Sequence, residues 1–299
     1  MNLTEQPHPD NFVSFDSRIP PPPANPSQEN PYPQHWGVLS AIGLWVLSIM
    51  LMLVVSVFAI LTYGIIKGFP KDQADLIKDP NAIVINLAAI LPIHLLTILA
   101  AWWLVTRGGK QPFLKTLGWS WSKNFGFWAC LGVTIGMYML AGLVIFVFGE
   151  QENELTRILR SSRTAVYITA FIAALTAPFA EEVVYRGVLY PPLERKFGVI
   201  PAIILITTIF AGIHVPQYLD YDKMHLVSSY GTIIVICALS LVLTSIRAWT
   251  KSLLPCFVIH TIFNGIQAVL LVVEPYIPNS KAPGENSQAF IHWLTILCR

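Results

Sequence analysis

The sequence predicts an all-α fold, a polytopic membrane bundle of seven helices, or eight if one long apolar region splits. Three observations carry that prediction. The apolar fraction is 54% and the charged fraction 12%, about half the roughly 25% charged content of a soluble domain. Mean hydropathy is +0.59, too high for 299 residues to stay soluble around one core. The apolar segments run about 20 residues or more, the length of a spanning helix, whereas an outer-membrane barrel shows alternating strands of roughly 10. The net charge of +2 is spread along the chain. No basic stripe points to nucleic acid.

Residues 1–36 hold nine of the 22 prolines, and acidic side chains outnumber basic ones four to one. Such a composition is a disordered or polyproline II tail. It lacks a basic stretch followed by an apolar one, so it does not read as a cleavable signal peptide. The first span covers about 37–66, carries no charge, and has Trp36 and Trp45 toward its start. The second covers about 82–105 and ends near Trp102 and Trp103, placed as interfacial aromatics are. It contains His94 two residues after Pro92, which reads as a hydrogen-bonded structural histidine before it reads as a functional one.

Residues 107–123 are polar and basic, and a third span follows at about 125–148. The linker 149–163 is acidic first and basic after, the order that suits the ends of a short surface helix. A fourth apolar region begins near 164 and runs to about 194, enough for about 45 Å of helix against a roughly 30 Å hydrocarbon core. Pro178 lies inside it and predicts a kink or break there. The remaining spans are about 200–217, 229–248 and 253–273, and 288–298 is a short apolar run suited to the interface. The loops at 107–123, 195–196 and 247–251 share one side and a positive charge, which makes that side cytoplasmic.

Of the four cysteines, Cys130, Cys237 and Cys256 lie within apolar runs, and no CxxC occurs. They read as small packing residues. Cys298 is second from the end of the sequence and is not a CaaX prenylation site.

Polar residues recur in three late spans: Glu181, Glu182 and Arg186 in the fourth, His214 in the fifth, His260 and Asn264 in the seventh. An ionised group in a spanning helix costs about 2.5–3.5 kcal/mol on insertion scales, so this set calls for a partner or a task. Glu181 precedes the turn near 196–197 by about 15 residues and His214 follows it by about 17, which brings them to one level in an antiparallel pair. His260 lies about 15 Å below the turn near 250, on the same side. Glu182 and Arg186, like His260 and Asn264, are four apart and share a helix face. A desolvated carboxylate serves as a general base near neutral pH, an imidazole aligns its water, and a second imidazole and an amide stabilise an oxyanion. Alternatively, Glu181, His214 and His260 bind zinc and the metal activates the water. Spacing alone leaves both open.

The motifs EEVVYR (Glu181 to Arg186), FAGIH (Phe210 to His214) and HTIFN (His260 to Asn264) occur in that order in late hydrophobic helices. With PFAEEVVYRG extending the first, they resemble the CAAX protease and bacteriocin-processing family, also called Abi or CPBP, which includes the type II CAAX prenyl endopeptidases. The resemblance implies a glutamate-dependent intramembrane endopeptidase, in which Glu181 is the base, His214 its partner on water, and His260 and Asn264 the oxyanion donors. Glu182, Arg186 and Phe210 are implied as supporting residues, and no cofactor is implied, with zinc the alternative. The chain then divides into the tail 1–36, N-terminal spans 37–160, a protease-like core 161–275, and a C-terminal tail 276–299. The expected partners are the lipid bilayer and a membrane-associated substrate, prenylated or bacteriocin-like, and the expected location is a bacterial inner membrane. Two readings of another class stand beside it: a non-catalytic scaffold or immunity protein of the same fold, and an ion transporter. The absence of an evident inverted repeat counts against the transporter.

Overall fold

The computed structural model describes residues 33–70, 75–76, 79–148, 162–218, 226–273 and 276. Among them, seven helices are long and apolar enough to cross a membrane. These are α1 (Val38–Lys67), α2 (Pro80–Val105), α4 (Phe127–Phe148), α5 (Arg163–Phe197), α6 (Val199–Tyr218), α7 (Leu226–Thr250) and α8 (Leu254–Val273); α3 (Phe113–Thr116) is a single turn between α2 and α4. The chain is an integral, multi-pass membrane protein. The expectations for the proline-rich residues 1–32, the linker 149–161 and the run 288–298 lie outside the described residues.

Local chemistry sets the helix ends. Asp79 caps α2, its Oδ1 accepting from Asn81 N at 2.7 Å, with Pro80 at the first helical position, where a missing N–H costs nothing. Ser162 caps α5 by accepting from Ala165 N at 3.0 Å. α5 stops at Gly198, whose φ of +87° is open to glycine without steric penalty, and α6 begins at once.

The fourth span does not break at Pro178. Instead α5 widens into π-helical turns at Ile172–Thr176 and Glu182–Leu189. Ala177 N reaches back five residues to Ile172 O, and that wider turn accommodates a ring that clashes with the carbonyl four residues before it in an α-helix. Among the described residues the span count is therefore seven. Pro191 and Pro192 follow the second wide turn. Pro191 would donate to Arg186 across five residues and Pro192 to Val188 across four, but neither has an N–H. Side chains from elsewhere supply both carbonyls: Arg247 Nε donates to Arg186 O at 3.1 Å and Trp36 Nε1 to Val188 O at 2.8 Å.

The apolar interior forms two clusters. One joins the start of α1, the end of α2, α5 and α6 through Trp36, Leu44, Val105, Leu189, Ile206 and Phe210. The other joins α4, α7 and α8 through Cys130, Met137, Leu243, Ile259 and Phe263. Cys130, Cys237 and Cys256 carry free thiols. Outward faces are apolar as well, with Phe58, Trp128, Met139 and Phe146 exposed, as lipid contact requires.

The three basic loops meet at one end of the bundle. Arg247 Nη2 donates to Leu117 O at 3.0 Å, Leu253 N donates to Gly118 O at 2.9 Å, and Lys251 pairs with Glu194. Gly118 is needed there: its φ is +77°, and a Cβ would stand 2.9 Å from Lys251 O. Residues before α1 lie on the same end, where Arg195 Nη2 donates to Trp36 O at 2.8 Å and His35 Nε2 to Leu104 O at 3.1 Å.

Candidate active site

The charged groups of α5 face the seam between the two apolar clusters. Glu182 and Arg186 are fully buried, 0% of either side chain being exposed, and their i,i+4 ion pair is closed at 3.1 Å. Burial of such a pair holds only when the remaining hydrogen-bonding capacity is met. α7 meets most of it. Arg186 Nη2 donates to Ser240 Oγ at 2.8 Å and Ser240 O at 3.2 Å, and Nε donates to Thr244 Oγ1 at 3.2 Å. The guanidinium also lies 4.6 Å from the centre of the Phe210 ring, a cation–π approach.

Across the seam, α8 presents His260, whose Nδ1 lies 2.8 Å from Glu182 Oε1. A carboxylate only accepts, so Nδ1 carries the proton and Nε2 is the ring's outward atom. Nε2 is 3.7 Å from Glu181 Oε2, and the Glu181 side chain is 24% exposed. That gap is too long for a direct hydrogen bond. The imidazole thus stands between the two glutamates. Glu182 holds its inner face and Glu181, the more open of the two, lies at its outer face.

Phe210 connects the third helix. Its ring centre lies 4.7 Å from that of His214, 6.2 Å from that of His260 and 5.1 Å from that of Tyr185. His214 Nδ1 donates to Phe210 O at 2.7 Å within α6, so in the neutral ring Nε2 is an acceptor. His214 enters the cluster through Phe210. Asn264 lies one turn beyond His260 on α8, half-buried, and its side chain makes no hydrogen bond among the described residues. Glu182 Oε2 is likewise buried without a partner among them.

The expected Glu182–Arg186 pair forms, and His260, expected with Asn264 as an oxyanion donor, makes its close bond to Glu182. Among the described residues, no group of three or more His, Cys, Asp or Glu could hold a metal ion. Glu182 engages Nδ1 of His260 and Phe210 O engages Nδ1 of His214, so each ring turns Nε2 outward.

Sequence reasoning overlooked the contribution of α7. Ser240, Thr244 and Arg247 are all buried, and their spacing of four and three marks one face of an otherwise apolar helix. That polar stripe was legible. Trp45 was not: its Nε1 donates to Tyr185 OH at 3.1 Å, bracing α5 from α1, and nothing in the first span announces it.

Residues 163–266, from the start of α5 into α8, match the family model described as Type II CAAX prenyl endopeptidase Rce1-like. The match contains all three motifs and bears out the resemblance over that range. It supports a membrane protease of the CAAX type in general. No curated protein and no solved structure matches the chain.

Proposed function

We propose that this protein is an intramembrane endopeptidase that hydrolyses a peptide bond of a membrane-associated substrate with water activated by Glu181. The observation that carries the reading is the split between the adjacent glutamates. Glu182 is buried, ion-paired to Arg186 and bonded to His260, while Glu181 is partly open and 3.7 Å from the far nitrogen of the same imidazole. One carboxylate is a support and the other is available to a water.

In this mechanism Glu181 takes a proton from the water held beside it, and the resulting hydroxide attacks the substrate carbonyl carbon. His214, an acceptor at Nε2, aligns the same water. The carbonyl electrons move to oxygen, and that oxyanion is met by the Asn264 amide, which is unengaged, and by His260 in its cationic form, when Nε2 also carries a proton. Preorganised donors of this kind act on charge that develops in the transition state. The C–N bond then breaks and Glu181 passes its proton to the leaving amine. Glu182, Arg186 and Phe210 hold His260 in place. The mechanism uses no metal. The substrates that suit it are prenylated or bacteriocin-like peptides in a bacterial plasma membrane.

The test is cleavage of a fluorescent farnesylated CaaX-type peptide by the full chain in liposomes. Glu181→Ala and His214→Ala are each expected to lower turnover by about 100-fold or more, with expression and thermal midpoint unchanged, and chelators are expected to leave wild-type activity intact. Full activity in Glu181→Ala sinks the mechanism. Loss in chelator, restored by zinc, moves it to a metal.

A further inference from the structure

α2 lies outside the residues matched by the family model, yet it brings an imidazole to the same wall of α5. It packs along α5 through both wide turns. His94 is half-buried, and its Nδ1 lies 3.0 Å from Thr176 Oγ1. Thr176 ends the first wide turn of α5, five residues before Glu181. His94 Nε2 has no hydrogen-bond partner among the described residues. α2 also packs against Ala177–Glu181, the turn that carries Glu181, and itself contains no charged residue. A tie to one threonine hydroxyl needs only one polar atom, which serine or asparagine supplies. The second ring nitrogen is unexplained by that tie, and an intramembrane ionisable group without a structural need points to a site.

We propose that His94 is a positioning residue for Glu181: Thr176 holds its Nδ1, and its open Nε2 steadies the Glu181 carboxylate through a shared water. The inference rests on the reading of Glu181 as the base. It extends the site to a fourth helix, and it explains why a wide turn lies immediately before the motif: the turn that accommodates Pro178 also carries the hydroxyl that orients His94.

His94→Asn separates positioning from a simple structural tie, because the shorter amide reaches the place of Nδ1 and keeps the Thr176 bond but has nothing at Nε2. In liposomes with the farnesylated peptide, His94→Asn is expected to lower kcat by about 10- to 100-fold with KM within about two-fold and an unchanged thermal midpoint. Wild-type kcat in His94→Asn overturns the proposal. Glu181→Gln in the same assay keeps the two readings apart, since retained activity there removes the base and not His94. A second measurement needs no turnover: in the full chain labelled with 15N-histidine, Glu181→Gln is expected to move the His94 Nε2 resonance, assigned by its loss in His94→Asn. An unmoved resonance overturns the proposal whatever the activity.

Discussion

Arg186 and Arg247 are both buried and touch each other's helices, yet the regions around them differ in what they leave open. Arg247 is closed on every side. Its guanidinium donates to the carbonyls of Arg186 and Leu117 at 3.1 and 3.0 Å and also to that of Lys251. It ties α5, the loop before α4 and the α7–α8 turn into one end of the bundle, and it holds Lys251 at a φ of +55° that an L-residue rarely adopts. Around Arg186 the network begins equally closed, with Ser240, Thr244 and Glu182, and then runs out into open capacity. Glu182 Oε2 lacks a donor, Glu181 is partly exposed, and the outer nitrogens of His214 and His260 and the Asn264 amide remain for other partners. Saturated polar groups fasten helices. Chemistry belongs where donors and acceptors are held in place but not used up.

The largest expected effect tests the open region. Arg186→Met leaves Glu182 buried with only His260 for company, and breaking a buried pair in this way costs about 3–5 kcal/mol. Turnover per folded molecule falls by about 100-fold as Glu182, which holds His260, loses its own anchor, measured by denaturation in detergent beside the peptide assay. Next is the closed region. Arg247→Met strands three carbonyls and is expected to cost about 3 kcal/mol, while turnover per folded molecule holds. If Arg247→Met abolished turnover in a folded protein, the distinction between fastener and site would collapse. Smaller still, Ser240→Ala removes one 2.8 Å bond to the Arg186 cation, for about 1.5 kcal/mol of stability and little change in rate.

The smallest effect concerns the strap before α1, which sits at the closed end. Burial, with the Arg107 cation adding to it, holds the His35 imidazole below the ordinary histidine range, against the pull of its bond to Leu104 O. The folded form therefore binds a proton less readily than the unfolded chain. The strap's contribution is full above the ordinary histidine pKa and is lost as the pH falls through it toward the lower folded value. Lowering the pH from about 7.5 to about 5.5 across the histidine range is expected to lower the thermal midpoint slightly, and less so in His35→Phe. An equal drop in that variant assigns the effect to other groups.

Much of this architecture was legible in the residues. Hydropathy runs long enough to span are additive along the chain, so all seven spans were placed within a few residues of the helices observed. The polar set on three late helices followed from the apolar runs that hold it. The i,i+4 pairing of Glu182 with Arg186 followed from helical phase. What rise alone does not specify is rotation. Adjacent residues on a helix point about 100° apart, so the choice of Glu181 or Glu182 as the close partner of His260 depends on how α5 turns against α8.

The sequence by itself determined a membrane bundle of seven or eight spans and the helices that carry the polar residues. Only the tertiary structure decided that His260 binds Glu182 and stands off from Glu181, that α7 holds Arg186, that Arg247 and Trp36 take up the carbonyls orphaned by Pro191 and Pro192, and that His94 belongs beside Thr176. The reason lies in the wide turns of α5. Each inserted residue shifts the helical phase of everything after it. The stretch that carries the motif therefore presents Glu181 and Glu182 to different surroundings, and local spacing contains no record of that rotation.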